Sequence, residues 1–230
     1  LLYTKRKTTF VCVMPHKFSL EKAIVLGICG VGIPASIQNL LNVTGMTILN
    51  NFTSSYGANA VAAMGISQKL NMVPMQVALG FSQGIMPLIS YNYASGNIKR
   101  MKEGLLFVAK IMLPSIAAVA LLYYLGAGSL IGAFMKNDQI IAYGSRFLRG
   151  FCLGLPFICM DFLAVGVFQA IGMGKAALLF AVLRKIALEI PALYVLNYFF
   201  PLYGLAYAQF TAEFVLAMAA VMMLWRIFGK

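Results

Sequence analysis

The 230-residue chain is predicted to be an all-α integral membrane protein that forms a bundle of six transmembrane helices. Two observations predict this class. The residues are 61% hydrophobic and only 10% charged, with a mean hydropathy of +0.86, whereas soluble domains are about 45–50% apolar and about 25% charged. Long intervals also hold few or no charges, and a membrane helix needs about 20 apolar residues. The composition excludes a soluble enzyme domain, a disordered protein and a small disulfide scaffold.

The positions of the charged residues divide the chain into spans. The intervals with few or no charges are 23–68, 70–98, 111–135, 150–174 and 186–225. The first is too long for one helix and is predicted to break at the polar turn formers Asn50–Gly57, and the last is predicted to break at Phe200–Gly204. The predicted helices are at about 20–49, 58–91, 99–125, 139–171, 175–199 and 204–227.

Other patterns support helices rather than strands. The chain has no alternating segments of about 10 residues, so a transmembrane β-barrel is excluded. Five of the predicted helices contain an internal proline, which is expected to mark a bend because it frees a backbone carbonyl. These prolines are Pro34, Pro74, Pro114, Pro156 and Pro191.

The net charge of +12 is interpreted as membrane topology. The predicted segments on one side of the membrane are 1–22, 92–110, 172–185 and 226–230, and they hold 14 of the 18 Lys and Arg residues; the opposite side holds three. Because cytoplasmic loops are enriched in Lys and Arg, a multi-pass protein of the plasma (cytoplasmic) membrane with both termini in the cytoplasm is predicted. A nucleic-acid partner is not expected.

No pattern of soluble-enzyme chemistry is found. The single histidine, His16, lies in a basic segment, so neither a His-based catalytic triad nor a metal pair is predicted. The four cysteines lie in or beside apolar runs without zinc-ligand spacing and are interpreted as structural. We therefore expect a protein that is not an enzyme, with no resident metal or cofactor.

Three acids lie inside the intervals with few charges and are candidates for ion or proton coupling: Asp161, Glu213 and Glu189. An intramembrane carboxylate either pairs with a cation or handles an ion or proton. The structural alternative for Asp161 is a pair with Arg146, Arg149 or a part of the protein that is absent from this chain. Glu189 follows Lys185 by four residues, which favours a local ion pair.

Polar side chains on two helices are candidates for lining a cavity. Lys69, Gln76 and Gln83 are spaced by seven residues and share one helix face. Gln38 and Asn42, spaced by four residues, share a face of the first helix, and Gln169 lies two turns after Asp161. The alternative for these groups is hydrogen bonding between helices. Arg184 and Lys185 are expected to face a vestibule open to the cytoplasm, or to lie where the helix projects from the membrane.

Two segments resemble the multidrug and toxic compound extrusion (MATE) family. The first is LGFSQGIMPLISYNYASGN at 79–97, followed by the basic KRMK at 99–102, which is similar to a helix end and cytoplasmic loop of that family. The second is FQAIGMGK at 168–175, which is similar to the turn between the fourth and fifth helices of the family's second half. Gly32-Ile33-Pro34 resembles the opening of that half.

The resemblance implies the C-terminal half of a twelve-helix transporter. Residues 1–17 would be the end of a preceding helix and a cytoplasmic linker, and 18–230 the C-terminal transmembrane bundle. The chain begins with Leu1 rather than Met, which agrees with a fragment of something longer. The implied partners are an N-terminal six-helix half, the lipid bilayer and small organic cations.

The resemblance also implies the activity. Family members export cationic or amphipathic organic compounds in exchange for Na⁺ or H⁺, so multidrug efflux by antiport is expected here. Tyr91 and Tyr93 would lie at a cytoplasmic gate. The alternatives are a flippase for lipid-linked saccharides or polymers, which would need basic residues in its cavity, and a non-transporting membrane subunit, which would have paired polar faces and no cavity.

Overall fold

The computed structural model describes residues 21–228, with side chains as far as Trp225. The linker predicted at 1–17 lies outside the described residues. The helices are α1 (Lys22–Ser54), α2 (Ala58–Ala94), α3 (Ile98–Leu125), α4 (Ala127–Phe134), α5 (Asp138–Ala170), α6 (Gly174–Val182), α7 (Ile190–Phe199) and α8 (Gly204–Phe228), with a π-helical turn, Leu183–Glu189, between α6 and α7. The described residues contain helices and short connections without a strand, which confirms the all-α class.

Five of the described helices are long and apolar enough to cross a membrane, namely α1, α2, α3, α5 and α8. The remaining predicted span runs through α6, the π turn and α7. Tight turns connect several of these spans. In the turn from α2 to α3, Gly96 has a φ of 72° and the Asn97 side chain accepts a hydrogen bond from the Arg100 amide at 3.1 Å, which satisfies one of the free donors at a helix start.

The first helix ends within the predicted break Asn50–Gly57, at Ser54, about five residues beyond its expected end near 49. The Thr53 hydroxyl donates to the Leu49 carbonyl at 2.8 Å inside the helix. Phe52 packs edge-on against Tyr194 of α7, with ring centroids 4.8 Å apart. Turn-forming residues therefore remain helical here because their side chains bond back to the helix or pack on a neighbour.

A short helix, α4, lies in a region that was predicted as a connection. Ala127 and Ile131 are fully buried, and Ile131 lies against Gly144 of α5, where an added Cβ would come within 3.0 Å of it. The apolar residues of this segment therefore fold onto the end of the bundle.

The π turn ends at Glu189, two residues before Pro191. Proline has no N–H for the carbonyl four residues earlier, and its ring crowds that carbonyl. The backbone instead takes a wider register, in which the Ile190 amide bonds to the Lys185 carbonyl. The bend expected at Pro191 thus takes the form of a π turn, which is a feature often found at functional sites.

The helices differ sharply in how much of their surface is buried. In the most apolar 18-residue window of α5, 78% of the residues are buried, and α5 packs against α2, α3, α4 and α8. The corresponding value for α1 is 6%, and α1 packs mainly on α6. The bundle is therefore built around α5, while α1 lies at its edge.

The contact between α5 and α2 depends on small residues. The Ser82 hydroxyl donates to the Phe162 carbonyl at 2.6 Å, and a Cβ added at Gly166 would collide with the Ser82 hydroxyl oxygen. Small residues allow close helix approach in membranes, where interhelical hydrogen bonds add to the packing.

Candidate functional site

A cavity of about 310 Å³ lies between α1, α2, α5, the π turn and α8. Its lining combines amide, thioether, aromatic and ionised groups. The lining residues are Asn39, Asn42, Val43, Met46, Leu49, Gln68, Asn71, Met72, Met75, Gln76, Leu79, Phe151, Ile158, Phe162, Arg184, Lys185, Glu189, Gln209 and Glu213. A concave site with apolar walls and a few polar groups is the usual form of a small-molecule site.

Five ionisable residues form what we name the charged cluster: Asp161, Arg184, Lys185, Glu189 and Glu213. Arg184 Nη1 donates to Asp161 Oδ2 at 2.9 Å. Both side chains are nearly inaccessible, with 2% of Arg184 and 1% of Asp161 exposed. Burying charges is expensive unless they are paired, so this ion pair accounts for an arginine inside the bundle.

Two further groups surround the Arg184 guanidinium. Its Nη2 donates to Asn42 Oδ1 on α1 at 2.7 Å, and its central carbon lies 5.7 Å from the ring centroid of Phe162, within cation–π range. Glu213 Oε1 lies 3.9 Å from Arg184 Nη1, which is an ionic contact but longer than a hydrogen bond. Arg184 therefore connects α1, α5 and α8.

Lys185 and Glu189 form a separate pair within the π turn. Lys185 Nζ donates to both carboxylate oxygens of Glu189, at 2.7 and 2.6 Å. The Lys185 side chain lies across Gly45 of α1, where an added Cβ would lie 3.0 Å from Lys185 Cδ. The local pair expected from the four-residue spacing is present, and it lies at the cavity.

Several buried polar atoms of the described residues have no hydrogen-bond partner. They are Asn71 Oδ1, Asp161 Oδ1, Arg184 Nε and Glu213 Oε2. All four belong to the cavity lining or to the charged cluster. Unsatisfied buried groups are rare and costly in folded proteins, and their concentration here makes this region the candidate functional site.

The structure brings together part of the predicted set. Asn42 and Gln76 line the cavity, and Glu189 and Glu213 line it as well. Asp161 is outside the lining and is reached through Arg184. Its predicted structural partners were wrong: Arg146 stacks over Tyr203, and the Arg149 side chain donates to the Tyr124 carbonyl at 3.2 Å.

The other predicted cavity residues lie elsewhere. Gln169 Nε2 donates to Gln38 Oε1 at 3.4 Å, which matches the alternative of hydrogen bonding between helices. Lys69 and Gln83 are exposed and outside this lining, so of the heptad face on α2 only Gln76 reaches the cavity. Lys69 and Gln83 are each about 10 Å from Gln76 along the helix axis, because seven residues separate them.

The two predicted gate residues lie near the end of α2. Tyr91 is 74% exposed and Tyr93 is 46% exposed, and neither lines the cavity. They precede the turn into α3. The cytoplasmic gate remains a prediction.

Arg184 is the main residue whose place sequence reasoning missed. It was expected at a vestibule open to the cytoplasm or on a projecting helix, but it is buried in the charged cluster. A signal was present in the sequence, because an arginine well inside an apolar span can compensate the acids of other spans.

With Arg184 and Lys185 assigned to the bundle rather than to a loop, the side predicted as cytoplasmic keeps 12 cations against three. Asn71, buried and lining the cavity, was also missed.

Comparison with known proteins agrees with this architecture. The sequence model of the family described as MatE matches residues 34–195. The chain is 33% identical over 232 residues to the multidrug export protein MepA of Staphylococcus haemolyticus, covering 99% of this chain and 50% of that protein. It is 30% identical over 226 residues to MepA of Staphylococcus saprophyticus, covering 98% of this chain and 49% of that protein. The chain thus spans about half the length of the curated relatives it matches.

Solved structures share the fold. One is an outward-facing multidrug resistance MATE family transporter of the MOP superfamily, with a TM-score of 0.90 and 21% identity over 99% of this chain and 51% of that one. Another is the Vibrio cholerae MATE transporter VcmN in its bent form, with a TM-score of 0.84 and 18% identity over 92% of this chain and 48% of that one. Because the family match covers more than half of the chain, this protein belongs to the MatE family of multidrug and toxic compound extrusion transporters.

Proposed function

We propose that this chain is the C-terminal six-helix bundle of an antiporter that exports cationic or amphipathic organic compounds in exchange for H⁺ or Na⁺. The observation that carries the proposal is the cavity of about 310 Å³ with a buried charged cluster in its wall. Family membership and relatives named as multidrug export proteins support it.

The cavity chemistry favours cationic amphipathic substrates. Met46, Met72 and Met75 supply flexible, polarisable surface of the kind used by promiscuous binding sites. Phe151 and Phe162 supply aromatic surface. The charged cluster contains three acids and two bases, so full ionisation leaves one negative charge that would attract an organic cation.

The chain spans half the length of its relatives, and we infer a second six-helix bundle that faces the cavity. α1, which is little buried, contributes Asn39, Asn42 and Val43 to the lining and would face that partner. Rocking of the two bundles would expose the cavity to each side of the membrane in turn. Tyr91 and Tyr93 would contribute to the cytoplasmic gate, and both termini would lie in the cytoplasm.

Coupling requires that ion occupancy favours one of the two conformations. The buried acids Asp161, Glu213 and Glu189 are the candidates for this ion site. Each contacts or adjoins a cation of the π turn, so a change of ionisation alters the electrostatics between α5, α8 and the π turn.

The test is efflux of the organic cation ethidium from proteoliposomes that contain the complete transporter. A pH or Na⁺ gradient should drive efflux, and Asp161→Asn and Glu213→Gln should reduce it at least tenfold. Glu103→Gln is the matched control, because Glu103 is exposed near the start of α3, outside the cavity. Absence of gradient-driven efflux by the wild-type transporter would refute the proposal.

The flippase alternative needs unpaired cations in the cavity for a pyrophosphate group. Arg146 and Arg149 lie against tyrosines outside the cavity lining, and Arg184 and Lys185 each contact a carboxylate. A non-transporting subunit would have satisfied polar faces, whereas this cavity region holds unpartnered buried atoms. Antiport is therefore the function that the geometry supports best.

A further inference from the structure

We propose that Glu213 is the residue that takes up and releases the exchanged proton, and that Arg184 moves between Asp161 and Glu213 as it does so. This inference rests on the proposed antiport function. It separates the roles of two acids that sequence reasoning treated alike, with Glu213 as the proton-binding residue and Asp161 and Arg184 as positioning residues.

The first argument is the distribution of partners in the charged cluster. Asp161 is hydrogen-bonded to Arg184 at 2.9 Å, and Glu189 to Lys185 at 2.6 Å. Glu213 is 1% exposed, its Oε2 has no partner, and its Oε1 lies 3.9 Å from Arg184 Nη1. An ionised carboxylate buried without a hydrogen bond is strongly unfavourable. The geometry therefore matches a protonated Glu213, which also makes the cluster electrically neutral.

The second argument is access. Glu213 lines the cavity, whereas Asp161 lies behind Arg184 and outside the lining. Both carboxylates are 1% exposed, so an opening of the cavity would bring water to Glu213 before Asp161. Glu213 contacts Arg184, and the Asp161 carboxylate and the Cys159 thiol of α5 lie near it. The polar and charged residues that line the cavity with it are Arg184, Lys185 and Glu189 of the π turn, Asn71, Gln68 and Gln76 of α2, Asn39 and Asn42 of α1 and Gln209 on its own helix.

Deprotonation has a defined consequence. The O–H bond of Glu213 breaks, the proton passes to water in the cavity, and the carboxylate gains one negative charge while Arg184 keeps its own. Arg184 Nη1 must then close the 3.9 Å separation from Glu213 Oε1 by about 1 Å to form a charge-assisted hydrogen bond. Because Nη2 is bonded to Asn42 at 2.7 Å, this displacement acts on α1.

α1 is suited to respond. It is the least buried of the membrane-length helices described, and it contributes five residues to the cavity wall. A shift of the guanidinium can therefore change the cavity without disrupting the core around α5. The protonation state of Glu213 on α8 is therefore linked to the position of α1.

The site favours a proton over a metal cation. A sodium ion beside Glu213 would lie within a few ångströms of the Arg184 guanidinium, and like charges at that distance repel strongly in a poorly solvated site. A proton joins a carboxylate oxygen directly and needs no further ligands.

The experiment measures proton release when ethidium binds to the complete, purified transporter, with a pH-indicator dye in weakly buffered solution. Glu213→Gln should bind ethidium but release one proton fewer than the wild type, and Glu213→Asp should restore that proton. Glu103→Gln, exposed and outside the cavity, serves as the matched control and should release the wild-type number.

The Arg184 exchange is tested by a double variant. In Asp161→Asn the guanidinium should settle on Glu213 and hold it ionised, so the proton is no longer released. Adding Arg184→Gln removes the competing cation, and Asp161→Asn/Arg184→Gln should release the proton again. If Asp161 were the proton-binding residue, the double variant would release no proton when ethidium binds. That result would overturn the assignment.

Movement of α1 is a separate readout. Val43 is exposed, so Val43→Cys in a cysteine-free transporter supplies a thiol on α1 that reagents can label. The labelling rate of this thiol should change severalfold when ethidium binds. The change should be lost in Arg184→Gln and Glu213→Gln. Unchanged proton release by Glu213→Gln, or efflux driven by Na⁺ at equal pH on both sides, would overturn the inference while leaving export intact. A wild-type transporter that neither binds nor exports ethidium would instead overturn the proposed function and this assignment with it.

Discussion

Arg184 donates a hydrogen bond to Asp161 at 2.9 Å, although 23 residues separate them and both side chains are almost completely buried. This pair holds the π turn against α5. It also explains how an arginine can lie in the middle of an apolar span, because each charge is neutralised by a partner that sequence order does not reveal.

Removing Asp161 leaves the Arg184 guanidinium buried without its main partner. Asp161→Ala is expected to lower the free energy of unfolding by about 3–5 kcal/mol, as is typical when one member of a buried ion pair is deleted. Thermal unfolding of the purified protein in detergent measures this loss. Glu103→Gln should shift stability by no more than about 0.5 kcal/mol, and an equal shift in both variants would contradict a structural role for the pair.

Asn42 is predicted to hold Arg184 from the side of α1. Asn42→Leu removes the 2.7 Å hydrogen bond and should cost about 1.5–3 kcal/mol, since the lost bond is made to a charged group. Asn39→Leu, an exposed amide on the same helix, is the control and should have little effect. Thermal stability that does not distinguish the two variants would show that the bond to Asn42 contributes nothing.

The crossing of α2 and α5 is predicted to tolerate no added methyl group at Gly166. Gly166→Ala places a Cβ against the Ser82 hydroxyl oxygen and should cost about 1–3 kcal/mol through overpacking. Ser82→Ala removes the clashing atom, so the double variant should be less destabilised than the sum of the single variants. Gly80→Ala lies on the other helix of the crossing, α2, and has open space at its Cβ. It is the control for the effect of replacing a helical glycine without a clash. Strict additivity would show that the two residues do not touch.

Gly45 is predicted to make room for the Lys185–Glu189 pair. A Cβ at this position lies 3.0 Å from Lys185 Cδ and 3.1 Å from Nζ. Gly45→Ala should have a small effect because the lysine side chain is flexible, whereas Gly45→Leu should displace it into the cavity and reduce ethidium efflux at least tenfold. Gly27→Leu, on the same helix with open space around it, should leave efflux unchanged. Equal efflux by both leucine variants would contradict this role.

Much of the fold could be predicted from the sequence because each membrane helix satisfies its own backbone hydrogen bonds. Apolar intervals between charges therefore locate α2, α3, α5 and α8 to within a few residues. The same reasoning failed where packing overrides local preference. The turn formers near Asn51 stay helical because Phe52 and Thr53 find partners, and α4 forms because Ile131 packs onto Gly144.

The sequence identifies most residues of the candidate site, but it does not predict which of them contact one another. Asp161, Glu213, Glu189, Asn42 and Gln76 could be identified because polar groups are costly in a membrane. Arg184 could be seen in the sequence but not placed. Arg184 and its neighbour Lys185 lie in the π turn before Pro191 and both line the cavity, and their partners lie on helices that are distant in the sequence.

The sequence alone predicts a helical membrane protein with six spans, a cation-rich side and three acids within the apolar intervals. These properties follow from composition and from the free energy of transfer into lipid, which act on each segment separately. Only the tertiary structure decides which charges pair and which polar groups share a cavity. Asn42 and Arg184 are 142 residues apart in the chain, and their contact depends on how the helices rotate and pack against one another.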